Sequence, residues 1–133
     1  MSPQIINTIT GYIYAGTSFP IRFDCQSSEE NIPLNISSVK VYIKLADAAI
    51  SSTDQYINGR DGTNNVNLQI VNSTVKFDMM PADNQLANDS DDPSYFETHS
   101  IIFEIFYNND TDKFFEEFRI NIIKPPVGLL EET

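Results

Sequence analysis

Strict alternation of apolar and polar residues recurs along this chain, while the 3.6-residue period of an amphipathic helix is almost absent. Period two is the signature of strands that bury one face. The segment IPLNISSVKVYIKL, residues 32–45, shows it best: Val39, Val41, Ile43 and Leu45 point one way, and Lys40, Tyr42 and Lys44 the other. Burying each of those aliphatic side chains contributes roughly 1.5 to 3 kcal/mol. A slip of one residue would expose all four, so the core fixes the register.

The same pattern predicts further strands. Phe19, Ile21, Phe23 and Cys25 alternate with Pro20, Arg22 and Asp24, which places three large apolar groups and the thiol on one face. Pro20 cannot donate to a ladder, so this strand begins there or lies at a sheet edge. The region AISSTDQYINGRDGTNN reads as a long loop with a short strand near Tyr56. Val66, Leu68 and Ile70, a turn at Asn72-Ser73, then Val75, Phe77 and Met79 read as a hairpin.

PADNQLAND, opened by Pro81, allows one helical turn. HSIIFEIFY and FFEEFRINIIK form the strongest hairpin, joined by NNDTD. Ile101, Phe103, Ile105 and Tyr107 are expected to face the core opposite Phe118, Ile120 and Ile122. About six to eight strands without a convincing helix predict an all-β, antiparallel two-sheet sandwich, with a small barrel as the alternative. Residues 1–10 read as an N-terminal arm or first strand, residues 11–124 as the sandwich, and residues 125–133, after the break at Pro125-Pro126, as a C-terminal tail.

Composition narrows the function. At 133 residues, 41% hydrophobic with 9 Phe and 6 Tyr, the chain has the material for one packed core. Its net charge of −11 opposes binding to a phosphate backbone, so nucleic acid is not an expected partner. No basic amphipathic helix and no apolar run of about 18 residues is present, so no membrane association is expected. The opening MSPQIINTIT lacks the features of a signal peptide, which predicts synthesis in the cytosol. The sequons at Asn35, Asn72, Asn88 and Asn109 then read as chance matches.

Chemistry is sparse. The single Cys25 can form neither an internal disulfide nor a structural zinc site and is expected to be buried and inert. The single His99, beside an acidic loop, has no nucleophile motif with it and reads as solvated or locally hydrogen-bonded. Glu116 and Glu117 are adjacent, so in a strand they point to opposite faces and cannot act together. One is expected at the rim and one in solvent. Glu104 has no visible partner. Asn108, Asp110 and Asp112 match the first half of a calcium loop, but Lys113 stands in place of the needed Gly and Arg119 in place of the bidentate Glu. Asp89, Asp91 and Asp92 are a second acidic loop. The expectation is no catalytic, cofactor-binding or metal-binding residue.

Gly16-Thr17-Ser18-Phe19 opening a strand, then Pro33-Leu34-Asn35-Ile36-Ser37 leading into Val39-Lys40-Val41, resembles a pattern of small virion proteins of tailed bacteriophages. Val75-Lys76-Phe77 and Pro81-Ala82-Asp83 look like the third part of that pattern. The likeness spans residues 16–83 and, more loosely, the final hairpin. Asn35 stands where Asp is usual, and Pro93-Ser94-Tyr95 replaces the usual Gly-Tyr entry to the late strand.

The resemblance implies an immunoglobulin-like β-sandwich with a non-enzymatic structural role in the virion: a capsid decoration or head-fibre-anchoring subunit, or else a tail or baseplate accessory protein. Expected partners are other virion subunits, with several copies per particle. Apolar residues in the two arms, Ile5, Ile6 and Ile9 and Val127, Leu129 and Leu130, are the candidate docking groups. The competing reading is a glycan or host-surface binding module stacking its ligand on Tyr12, Tyr14, Tyr42 or Tyr56.

Overall fold

A computed structural model describes residues 5–25, 35–46, 56–61, 67–88 and 90–125; for Ile5, Ile6 and residues 56–61 it describes the backbone alone. Among the described residues eight strands run in chain order: β1 (Ile5–Tyr14), β2 (Phe19–Asp24), β3 (Ile36–Leu45), β4 (Tyr56–Asp61), β5 (Leu68–Val71), β6 (Thr74–Met79), β7 (Phe96–Tyr107) and β8 (Asp112–Ile123). One 3₁₀ turn, Pro81–Asn84, follows β6 where PADN was expected to turn once.

The strands form two sheets, ordered β1-β8-β7-β3-β4 and β2-β6-β5. In immunoglobulin lettering the smaller sheet is B-E-D and the larger carries G-F-C-C′, with β1 added beside G. The fold is an all-β, immunoglobulin-like sandwich. β2, which carries Pro20, lies at a sheet edge, where a missing donor costs no ladder bond.

The core lies between the sheets on the alternating face. Val39, Val41 and Ile43 of β3, Ile101, Phe103 and Ile105 of β7, and Ile120 and Ile122 of β8 meet Ile21, Leu68, Val75, Phe77 and Met79 of the smaller sheet. Four Phe rings stitch the layers together. Phe103 has Phe23 at 4.9 Å, Phe118 at 5.7 Å and Phe77 at 5.9 Å, all edge to face, a geometry that adds about 0.5 to 1.5 kcal/mol per pair beyond area burial. Val39 pairs with Ile105, Val41 with Phe103 and Ile43 with Ile101, and Ile101 pairs in turn with Phe118 of β8.

Turn chemistry sets the hairpins. Asn72, between β5 and β6, has φ 57°, and Asn108, Asn109 and Asp110, between β7 and β8, have φ of 54°, 57° and 67°. Asn and Asp tolerate this left-handed region because a short polar side chain can bond the local backbone.

One ladder departs from the antiparallel expectation: β1 runs parallel to β8. After Tyr14 the chain crosses to the other sheet to begin β2, so β1 has no hairpin partner and pairs with a strand from the far end of the sequence. A bulge interrupts this ladder between Thr8 and Tyr12, where Gly11 takes φ 91°. From Ile5, the segment expected as an arm or first strand is a strand that runs on past residue 10 to Tyr14.

Candidate functional site

Strand pairing gathers an aromatic group that the sequence keeps apart. On the sheet face turned away from the core, Tyr12 of β1 pairs with Asn121 of β8, which pairs with Thr98 of β7; one row further on, Tyr14 pairs with Ile123, which pairs with Phe96. Ile13, Ile122 and Glu97, between these positions, point inward. Tyr12 is 57% exposed and Phe96 56%, the largest exposures among the big apolar side chains described. The rings of Tyr12 and Tyr14 meet edge to face at 5.7 Å, and a hydrogen bond to Tyr12 raises the Tyr14 pKa. Thr98 Oγ1 donates to Asn121 Oδ1 at 2.7 Å, which fixes the amide with its NH₂ free to point outward. None of the six residues is charged. Of the tyrosines considered as stacking platforms, Tyr12 and Tyr14 belong to this face. Tyr42 is half-buried further along, its hydroxyl 3.4 Å from Glu104, and the Tyr56 side chain lies outside the described residues.

Further along that face, Ile102, Phe106 and Phe115 stand among charged side chains that pair with one another, which corrects two expectations. Glu117 is not in solvent: it is buried, accepting from Ser100 Oγ and Arg119 Nε at 2.8 Å each, and these contacts hold its carboxyl below the usual range despite burial. Glu104 does have partners, Tyr42 and Lys113 Nζ at 3.1 Å, and Lys113 also lies over the rings of Phe106 and Phe115. Glu116 turns to the other face as expected for its neighbour in a strand. It is half-buried there, with desolvation raising its pKa.

His99 sits within β7, fully buried, not at a solvated junction. Its Nε2 is 2.7 Å from Glu97 Oε1, a local bond as one half of the expectation had it. Glu97 Oε1 also accepts from the backbone N–H of Ala87, while Oε2 accepts from the N–H of Asn88 and the hydroxyl of Tyr95. These donors offset the desolvation of the carboxylate and keep its pKa low. An ionised Glu97 makes Nε2–H the donor and leaves Nδ1 as a buried acceptor without a hydrogen-bond partner. Burial lowers the His99 pKa and outweighs the contact with Glu97, which works the other way; protonating Nδ1 would also bury an unmatched N–H. The pair clamps the turn after the 3₁₀ segment onto β7. An open depression of about 620 Å³ borders that turn, between Gly16, Leu86, Ala87, Ser90 and Lys124.

Cys25 is buried, and desolvation, with Glu116 and Asp24 nearby, pushes its thiol up to about 12. A thiol of that pKa is not a nucleophile near neutral pH. The native protein is expected to resist a maleimide at pH 8 and to be labelled stoichiometrically in urea; labelling of the native state at the rate of a free thiol would show that Cys25 is accessible.

The acidic loops bond within themselves and to the start of β3. Asn108 Nδ2 donates to Asp112 at 3.1 Å, Asp110 N to Ser37 Oγ at 3.2 Å, and Asp92 Oδ1 accepts from Ser94 N and Oγ. Among the described residues no group of three His, Cys, Asp or Glu side chains converges as metal ligands would. Of the arm residues, Ile9 is half-buried and packs on the core, Ile5 and Ile6 pair with Glu116 and Glu117 as β1 begins, and Val127, Leu129 and Leu130 lie outside the described residues. Comparison with protein-family models, with curated proteins and with solved structures found no match to this chain.

Proposed function

We propose that this chain is a non-catalytic structural subunit of a bacteriophage particle. It is made in the host cytoplasm and carried in several copies in the virion, as a capsid decoration or head-fibre anchor; a tail or baseplate position is the alternative. The observation that carries this reading is the parallel pairing of β1 with β8. It sets Ile5 beside Glu116 and Tyr14 beside Ile123, so the first residue of β1 and the last of β8 lie on one sheet about 23 Å apart at about 3.3 Å per residue. An acidic sandwich with an arm at each end suits a subunit held between neighbours. Ile5 and Ile6 on one side and Val127, Leu129 and Leu130 on the other supply the apolar docking groups, while Ile9 serves the domain's own core.

The resemblance at GTSF, PLNIS and PAD supplies the step from domain to virion. Removing residues 125–133 is expected to leave the thermal melt of the domain within a few degrees of the parent and to lower incorporation into particles about tenfold or more, read by mass spectrometry of purified particles. Undiminished incorporation would remove the role of the C-terminal arm, and absence of the full chain from particles would end the virion reading.

A further inference from the structure

We propose that the face formed by Tyr12, Tyr14, Phe96 and Ile123, edged by Asn121 and Thr98, binds a neutral oligosaccharide. The inference stands on the geometry of this face and does not depend on the virion role. The rings sit on strands, where side chains stand perpendicular to the sheet and are held by the ladder. Neighbouring strands lie about 4.8 Å apart and alternate residues about 6.6 Å, so Tyr14 and Phe96 bracket a platform of about 10 by 7 Å. The C–H faces of pyranose rings stack on such a platform while their hydroxyls reach hydrogen-bonding groups at its border. Those groups are present: the phenol hydroxyls of Tyr12 and Tyr14, and the Asn121 NH₂, aimed by the bond from Thr98 to the amide oxygen.

Two further observations separate a sugar from other occupants. First, the aromatic surface left open, with Tyr12 57% and Phe96 56% exposed, is on the order of 300 Å² for rings of this size. A specific protein interface takes about 800 Å² from each partner. Second, no charged side chain stands among the six residues of a chain whose net charge is −11. The nearest charge on the same face, Arg119, one row beyond Asn121, is held by Glu117 at 2.8 Å, whereas an uncharged polyol finds both stacking faces and hydrogen-bond donors on the platform.

The chain has 6 Tyr and no Trp, so its emission comes from tyrosine, and the share from this face is the part of a ligand-induced change that is lost in Tyr12→Ala. An array of neutral oligosaccharides would be screened with the full chain, and the best ligand titrated by tyrosine fluorescence and calorimetry. Saturable binding is expected, weakened about tenfold or more by Tyr12→Ala and by Phe96→Ala and also weakened by Asn121→Ala. Tyr42→Ala, away from the platform, is expected to leave it unchanged. Because Tyr12 and Phe96 are exposed, their variants should keep the parent circular dichroism and melting temperature, which separates lost binding from lost fold. No binding to any neutral glycan at millimolar concentration would overturn the proposal, as would binding that survives the Tyr12→Ala/Phe96→Ala double variant. Burial of Tyr12 and Phe96 against another protein subunit in an intact particle would overturn it too.

Discussion

Val41→Asp is expected to leave the chain unfolded at 25 °C. Val41 is fully buried in the middle of β3, paired with Phe103 of β7, at the centre of the four-ring cluster that joins the sheets. A carboxylate there would meet hydrocarbon above it and have no designed donor. It would either ionise at a cost of several kcal/mol or take up a proton and still displace well-packed carbon. Total stability for a domain of this size is about 5 to 15 kcal/mol, so one such change consumes most of it. Circular dichroism and a thermal melt decide the matter. A variant that melts within a few degrees of the parent would mean that Val39, Val41 and Ile43 face solvent.

The second large effect concerns Glu97. Glu97→Ala removes the acceptor for the N–H groups of Ala87 and Asn88, the Tyr95 hydroxyl and His99 Nε2 in one step. Stranding the buried His99 N–H together with three part-buried donors is expected to cost about 2 to 4 kcal/mol. Glu97→Gln, which keeps the shape and one acceptor, should cost less, and equal losses for the two would show that the charge of the carboxylate is irrelevant.

The same pair makes the protein acid-labile. His99 in the folded state binds its proton below the ordinary 6.5, so as pH falls through 6.5 the unfolded chain takes up a proton that the native one refuses, and stability declines. Glu97 and Glu117, with folded pKa values below the ordinary 4.5, add further loss as pH falls below 4.5; Glu116, raised, works in the opposite direction above 4.5, where the native state takes up its proton before the unfolded chain does. Urea midpoints between pH 8 and 5 should fall in the parent and stay flatter in a His99→Gln variant. A parent curve with no slope from pH 7 to 5 would contradict the buried neutral histidine.

The parts of this fold legible in the sequence are those where side-chain period and burial agree. β3 and the β7–β8 hairpin were readable because Val39, Val41 and Ile43, and Ile101, Phe103 and Ile105, recur every second residue with polar residues between. Asn72 and the NNDTD run announced their turns through residues that accept positive φ. Glu97, His99 and Glu117 were not readable, because a polar residue inside a strand looks like a solvent position until its partners are known. Those partners arrive from elsewhere: the N–H groups of Ala87 and Asn88 carry no sequence signature, and Ser100 reaches Glu117 only through strand pairing. The aromatic platform was half legible. Tyr12 and Tyr14 stand two apart in the sequence, but Phe96 joins them only because β1, β8 and β7 are neighbours, an order set by backbone ladders and not by any local pattern.

The ladder between β1 and β8 also dictates when this domain can be finished. The bond from Asn7 to the carbonyl of Glu117 spans 110 residues, so the first strand made must wait for the last before its edge is paired. Closing a loop of that length early is entropically costly, which places β1 docking late and puts folding in the millisecond-to-second range of non-local β topologies. Until then β8 offers an unpaired edge, and at high local concentration the first strand of a second chain can fill it as well as the chain's own. A topology that delays self-closure is therefore also one that permits strand exchange between copies.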